Sequence, residues 1–303
     1  MTPDIPELEH HRSVGVGEAI GHGISQKALR DERYHRPFWG VRSSSPPDDA
    51  IDLVRQYAPR LRSGQVIAEA AAARLHGLPI PPGTPRGVQL LVPKGAYRPA
   101  ARGVSARSIA AARLQPVRVD GLPVADPLLT WLTLARVYDV PWLVAVGDAL
   151  VTSADNYPGL RGSRPACTIE DLARGVAGWG TMAGIGRLRL ALPLVRLGVE
   201  SPWESITRVL LVDGGLPEPE VNEQILHDGA FVARPDLLYR DARVAIQYDG
   251  DGHRSDRTQW QADIARDVRL RSIGWEVIHV TQDTLTEPWR LVALVRATLA
   301  ARS

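Results

Sequence analysis

From Ala230 onward the chain alternates between strand-like and helical patterns in an order that few folds accommodate. Two strand-like runs, "AFVARPDLLY" and "RVAIQYDG", meet at Arg240 and Asp241. A helix over about 255–272, the strand "WEVIHV" and a helix from near Pro288 follow. Upstream, "SPWESITRVLLVDGG" predicts a helix with Ser201, Pro202 and Glu204 at the N-cap, N1 and N3 positions, and "NEQIL" offers a further strand. Helix, strand, strand, helix, strand, helix predicts an α+β or α/β domain at the C-terminal end.

The strand at 243–249 breaks its own apolar pattern. Period-two alternation puts Val244, Ile246 and Tyr248 on one face and Ala245, Gln247 and Asp249 on the other. A tight connection to the preceding strand lays Asp236 of "ARPDLLY" beside that polar face, and Glu204 joins if its helix packs across the sheet. Two carboxylates about 4 Å apart repel by roughly 4 kcal/mol at an effective dielectric near 20, so such a cluster holds either a proton or a cation. Oxygen donors without cysteine favour Mg²⁺ or Mn²⁺. Against a phosphodiester, a hard divalent ion stabilises charge and lowers the pKa of an attacking water. Each residue also has a plainer role. Glu204 completes a capping box, Asp236 opens a turn or pairs with an Arg, and Asp249-Gly250 ends a strand. His253 is a surface histidine, and Gln259, Asp263 and Arg266 form a salt-bridged helix face.

Taken together, "ARPD", "IQYDGDGH", the helix "DIARDVRL" and "GWEVIHVTQDTL" resemble the PD-(D/E)xK nuclease superfamily, most of all the group related to very short patch repair endonucleases. The resemblance covers about residues 200–290. It implies a restriction-endonuclease-like αβββαβ core and a Mg²⁺- or Mn²⁺-dependent endodeoxyribonuclease. Its metal-binding acids fall on Asp236 and Glu204, with the third-motif acid at position 247. Here the chain departs: position 247 is Gln where the family usually has Glu, and 249 is Asp where the superfamily name expects Lys. Asp236, Gln247, Asp249 and His253 are the catalytic candidates, and Glu204, Asp236, Asp249 and Gln247 the metal ligands. Without a lysine, water activation falls to the metal-bound water, helped by His253 or His279.

The N-terminal part reads differently. "GEAIGHGISQKALRDERYHRPFWGVRSSSPPDD" predicts a short helix, a Gly turn, a second helix at about 25–33 and an aromatic strand, the order of a winged helix-turn-helix. Lys27, Arg30, Arg33, Arg36 and Arg42 then lie on or near the second helix and wing as DNA contacts. Two helical patterns, the second closed by Gly77 and Pro79, precede strands at "GVQLLVP" and "LQPVRVDGLPVAD" and the helical stretch "PLLTWLTLARVYDVPWLVAVGDALV". With "AAAARLHGL" and "GLPVADPLLTWLTLA", residues 12–155 resemble AbiEi-type antitoxin and regulator proteins. That resemblance implies DNA binding by the first segment, with a second phosphate-facing surface in the middle region. No Asp or Glu occurs between Glu69 and Asp120, and Lys94, Arg98 and Arg102 lie in that basic block. The expected segments are a winged-helix-like module at 1–47, a basic α+β region at 48–165, a helical linker at 166–199 and the nuclease-like domain at 200–303. "TIED" from Thr168 opens the linker as a capping box, ahead of the basic amphipathic helix "GIGRLRLALPLVRLG".

With a net charge of +2 on 303 residues, affinity for nucleic acid must come from local clusters. Cys167 is the only cysteine, which excludes an intrachain disulfide and any multi-cysteine metal site and fits a reducing cytoplasm. The best apolar stretch, "VPWLVAVGDALV", is short and interrupted by Asp148, so neither export nor membrane insertion is expected. The expected partner is DNA, with homodimerisation open and no organic cofactor. The alternative is a regulator or antitoxin-like DNA-binding protein with a catalytically inactive nuclease fold; a third reading has the basic block bind RNA.

Overall fold

The computed structural model describes residues 13–250 and 257–302, with the backbone alone for 257–261. His253 lies outside the described residues, as does the side chain of Gln259. The chain is a mixed α+β protein divided into two compact units. The first holds the residues up to Tyr138 with Gly159–Gly162 and Arg174–Ile185. The second holds Asp139–Pro158, Ser163–Ala173 and the chain from Gly186. The four expected segments cut the chain elsewhere, because they followed composition whereas the units follow packing. Among the described residues no helix is long and apolar enough to cross a membrane.

In the first unit, β1 (Ser13–Gly15) pairs antiparallel with β2 (Val41–Ser43), and α1 (Val16–Gly21) lies between them in sequence. The second helix expected at 25–33 is only a 3₁₀ turn, Ala28–Arg30. Ser25 Oγ accepts the Ala28 amide at 3.1 Å, the bond of a helix N-cap, but the turn stops at Asp31, which turns extended at ψ 144° and whose Oδ1 accepts the Arg33 amide at 3.1 Å.

Helices α2 (Ala50–Gln56) and α3 (Glu69–His76) flank β3 (Val66–Ile67) in sequence. A five-stranded mixed sheet follows the order β5-β4-β3-β7-β6, with β4 at Val88–Pro93, β5 at Val104–Ile109, β6 at Pro116–Val119 and β7 at Leu122–Ala125. Ala70 to Ala73 and Leu75 are buried on α3, where the small side chains permit close packing against α4 (Pro127–Leu134). Gly77 ends α3 at φ +70°, and a Cβ there would sit 1.8 Å from the Gly159 carbonyl oxygen, so only glycine fits.

The second unit opens with α5 (Val140–Val151), capped by Asp139, and continues through α6 (Ile169–Trp179), whose C-terminal part belongs to the first unit. Thr168 caps α6, and its reciprocal partner is Asp171: the Thr168 amide donates to Asp171 and the Asp171 amide to Thr168 Oγ1. The helix α7 (Ile185–Ala191) gives way at Pro193 to a 3₁₀ turn, shorter than its sequence suggests. Next comes α8 (Pro202–Asp213), which packs along α5.

Strand β8 is Glu220–Val221, β9 Ile225–His227, β10 Ala230–Ala233, β11 Leu237–Tyr239 and β12 Val244–Tyr248. Helix α9 (Arg257–Ser272), strand β13 (Glu276–Val280) and helices α10 (Gln282–Thr286) and α11 (Pro288–Ala300) complete the chain. Four strands form a sheet in the order β13-β12-β11-β8; β12 runs parallel to β13, and β11 is antiparallel to both β12 and β8. Two expectations change here. "NEQIL" does not join this sheet but pairs with β10 in a separate hairpin, and Glu220–Val221 is the edge strand instead. "AFVARPDLLY" is two strands, broken at Arg234–Asp236, since Pro235 has no amide hydrogen for a ladder.

Val244 and Ile246 of β12 pack with Leu211 of α8 and Leu291 and Val295 of α11 on one face. Ala245 packs with Leu270 and Trp275 on the other. The sheet is therefore covered on both faces, and its polar residues gather at the strand ends.

Candidate functional site

Glu204 enters the site from the first turn of α8. Ser201 Oγ accepts the Glu204 amide at 3.3 Å as an N-cap. A full capping box would return the Glu204 carboxylate to the Ser201 amide; instead Oε2 accepts the Glu200 amide at 3.0 Å and Asn222 Nδ2 at 2.7 Å. The carboxylate is buried, so it is more than a surface cap.

Asp236 stands one residue before β11, on the side of the sheet that Gln247 occupies. Register pairs Leu237 with Ile246, which brings the start of β11 to the end of β12. Gln247 Nε2 donates to Asp236 Oδ1 at 2.8 Å, and the Tyr248 amide donates to Oδ2 at 2.7 Å. Asn222, at φ +51°, a conformation Asn tolerates better than most residues, ties the two acids together. Its amide donates to the Asp236 carbonyl at 3.0 Å while its side chain reaches Glu204. Nothing in "PEPEVNEQ" announces this role, which depends on contacts across sequence-distant segments.

Burial pushes the Glu204 carboxyl up to about 7, and the neighbouring Asp236 adds to the rise against hydrogen bonds from Glu200, Asn222 and Ser201. Burial pushes Asp236 up to about 6 against the bonds from Tyr248 and Gln247 and the charge of Arg266, with Asp249 raising it further. These are two carboxyl groups short of positive charge. Between the unfolded-state values near pH 4 and the folded values near 6 to 7, the folded chain binds protons that the unfolded chain releases. Stability should therefore fall as pH rises from about 5 to 8 in chelator, and Glu204→Gln should flatten that dependence by about one proton. Urea midpoints across the range check this; an unchanged slope would mean that Glu204 ionises without cost.

Asp249 makes a second cluster. Its Oδ2 is 2.9 Å from His279 Nδ1, and His279 Nε2 is 2.7 Å from Asp267 Oδ2 on α9. Burial draws the His279 pKa down, but the bonds to Asp267 and Asp249 outweigh it and the net shift is upward. With a carboxylate on each ring nitrogen, both nitrogens of His279 are engaged within this cluster. Asp263 pairs with Arg266 at 3.0 Å. Beside the site, Trp203 stacks on Tyr248 with centroids 5.3 Å apart, and Trp142 meets Trp203 edge-on at 5.5 Å.

The structure thus bonds Gln247 to Asp236, links Asp236 to Glu204 through Asn222, and holds Asp249 with His279 and Asp267. Among the described residues no three His, Cys, Asp or Glu side chains converge as metal ligands. Beside Asp236 stands the amide of Gln247. Glu204, Asp236 and the Gln247 Oε1 atom are hard oxygen donors that could hold Mg²⁺ or Mn²⁺, provided the amide turns its NH₂ away from Asp236.

In the first unit, Lys27, Arg30, Arg33 and Arg36 are exposed, but several of the basic side chains expected to meet DNA have local bonds. Arg33 pairs with Asp31 at 3.3 Å, Arg36 donates to the Arg30 carbonyl at 2.9 Å, and Arg42 binds the Leu29 and Val41 carbonyls and is half-buried. Lys94, Arg98 and Arg102 are exposed on the segments flanking β4 and β5.

No family model matches the chain. Two uncharacterised proteins of Mycobacterium tuberculosis, from the CDC 1551 / Oshkosh and H37Rv strains, are each 28% identical to it over 267 residues, covering 86% of this chain and 90% of theirs. Among solved structures, the crystal structure of the RV2827C protein from Mycobacterium tuberculosis superposes with a TM-score of 0.41 at 21% identity, over 60% of this chain and 71% of that one.

Proposed function

We propose that the chain is a DNA-binding protein whose second unit hydrolyses phosphodiester bonds with Mg²⁺ or Mn²⁺. One observation carries the reading: the buried Glu204 and the half-buried Asp236, both with raised pKa values, are linked through Asn222 where the first turn of α8 and the start of β11 come together. Burial of that kind is costly unless a cation offsets it. With the β9–β10 hairpin set between β8 and β11, the remaining order α8, β8, β11, β12, α9, β13 supports it further, being the αβββαβ order that the nuclease resemblance implies. Glu204, Asp236 and Gln247 would hold the ion, which when bound supplies charge stabilisation at the phosphate and an activated water. Asp249, fixed by His279, faces solvent at about half exposure, where it can accept the water's proton. Lys27, Arg30 and Arg36, with the basic block, would meet the DNA backbone.

Supercoiled plasmid incubated with the full chain and Mg²⁺ or Mn²⁺ should be nicked, and Asp236→Asn should abolish nicking. Equal activity in the two proteins, or none in either, would remove catalysis from the account. A second reading, DNA binding by an inactive nuclease fold, rests on the Gln247 Nε2 to Asp236 bond, which gives the carboxylate a donor where a cation would otherwise sit. Operator-specific gel shifts without cleavage, indifferent to Asp236→Asn, would favour it.

A further inference from the structure

We infer that the first unit carries a base-stacking site for unpaired nucleotides, centred on Trp39. This inference rests on the DNA-binding reading and adds to it a preference that backbone contacts alone do not give. Trp39 is 87% exposed, an unusual state for the largest apolar side chain. The turn presenting it is held firmly. Phe38, one residue earlier, is buried edge-on against Tyr57 with centroids 5.0 Å apart. Gly40 follows at φ +77°, and the Val41 amide closes the turn on the Phe38 carbonyl at 3.1 Å. Arg60 donates to the Trp39 carbonyl, and its guanidinium lies 5.6 Å from the centre of the indole ring.

Trp39 and Arg60 border an open cleft of about 1020 Å³. Arg30, Arg36 and Arg62 also line it, and among the described residues Glu18 is the one acidic side chain on its wall. Beside it, Arg62 lies 4.6 Å from the ring centre of Tyr97, itself 58% exposed. A fixed, exposed aromatic plane beside guanidinium groups is the combination that binds single strands: the cations follow phosphates, and the rings take bases whose faces are open. A duplex hides those faces in its stack, and an acidic or apolar protein partner would leave one half of the combination unused. The cleft lies among the residues read from sequence as a winged helix-turn-helix. Its stacking side chain was visible there only as part of an aromatic strand, and Arg60 and Arg62 come from the segment after α2.

Fluorescence anisotropy with labelled oligothymidylate of about a dozen nucleotides, an abasic strand of the same length and a duplex tests this. Full-length wild type should bind oligothymidylate about tenfold tighter than the abasic strand, which keeps the phosphates and lacks the bases. Trp39→Ala should lose that difference, and Trp39→Phe should retain most of it. Because the side chain is exposed, both variants should melt like wild type, and circular dichroism verifies it. Equal wild-type affinity for the two single strands, or discrimination that survives Trp39→Ala, would overturn the inference. Duplex binding without any dependence on bases overturns the stacking site alone; binding to none of the three overturns the DNA-binding reading with it.

Discussion

Gln247→Glu should raise Mg²⁺-dependent plasmid nicking at least tenfold, about 1.4 kcal/mol of added stabilisation. The substitution places a second carboxylate against Asp236 and removes the NH₂ that now donates to it at 2.8 Å. Without a cation three acids then crowd one strand end, and repulsion at close range costs several kcal/mol at an intermediate dielectric. The same crowding makes a divalent ion more welcome, so the variant should be less stable than wild type in chelator and gain more stability from Mn²⁺. Nicking by the variant where wild type shows none would mean that Gln247 alone silences an otherwise intact site. No nicking by either would leave the inactive reading in possession.

The largest loss of stability should come from Arg208→Met. Arg208 and Asp148 are both fully buried in the second unit, joined by a 3.1 Å bond between Nη2 and Oδ2. Arg208 also donates to Glu218 at 2.8 Å and to the Leu194 carbonyl at 2.7 Å. Asp148 accepts from Ser205 Oγ and from the Arg196 amide, each at 2.7 Å. Burial pushes Asp148 up to about 6 even against the Arg208 charge. Without Arg208, a carboxylate stays in the core with no countercharge, at a cost of about 3–5 kcal/mol in urea unfolding. Adding Asp148→Asn should recover part of the loss, since the remaining buried groups are then neutral. If the double variant were as unstable as the sum of the two single ones, the ion pair would not be the source.

Asp148 shows how much the sequence disclosed. An acid inside "VPWLVAVGDALV" marks a departure from the apolar pattern, but its partner lies on another helix and no local rule finds it. The same holds at the site. Alternation along β12 placed Gln247 on one face and the short connection brought Asp236 beside it, because both follow from period-two geometry and a tight turn. Asn222 and the Asp249–His279–Asp267 chain needed the tertiary structure, as their links span up to 30 residues. At the N-terminal end, helical propensity at 25–33 gave way at the Asp31 turn, and β3 and β5 form only through pairing with β4 and β7. Strands of two to six residues have little signature of their own when their partners are remote.

Calorimetric titration with Mn²⁺ at pH 8, above the Glu204 value of about 7, addresses the central claim directly. Wild type should take up one Mn²⁺ per chain, and Glu204→Gln and Asp236→Asn should each weaken it at least tenfold. At pH 7 the wild-type heat should also vary with the ionisation enthalpy of the buffer, as Glu204 releases its proton on binding. Binding left intact in both variants, or no uptake by wild type or Gln247→Glu, would show that Glu204 and Asp236 do not hold a cation.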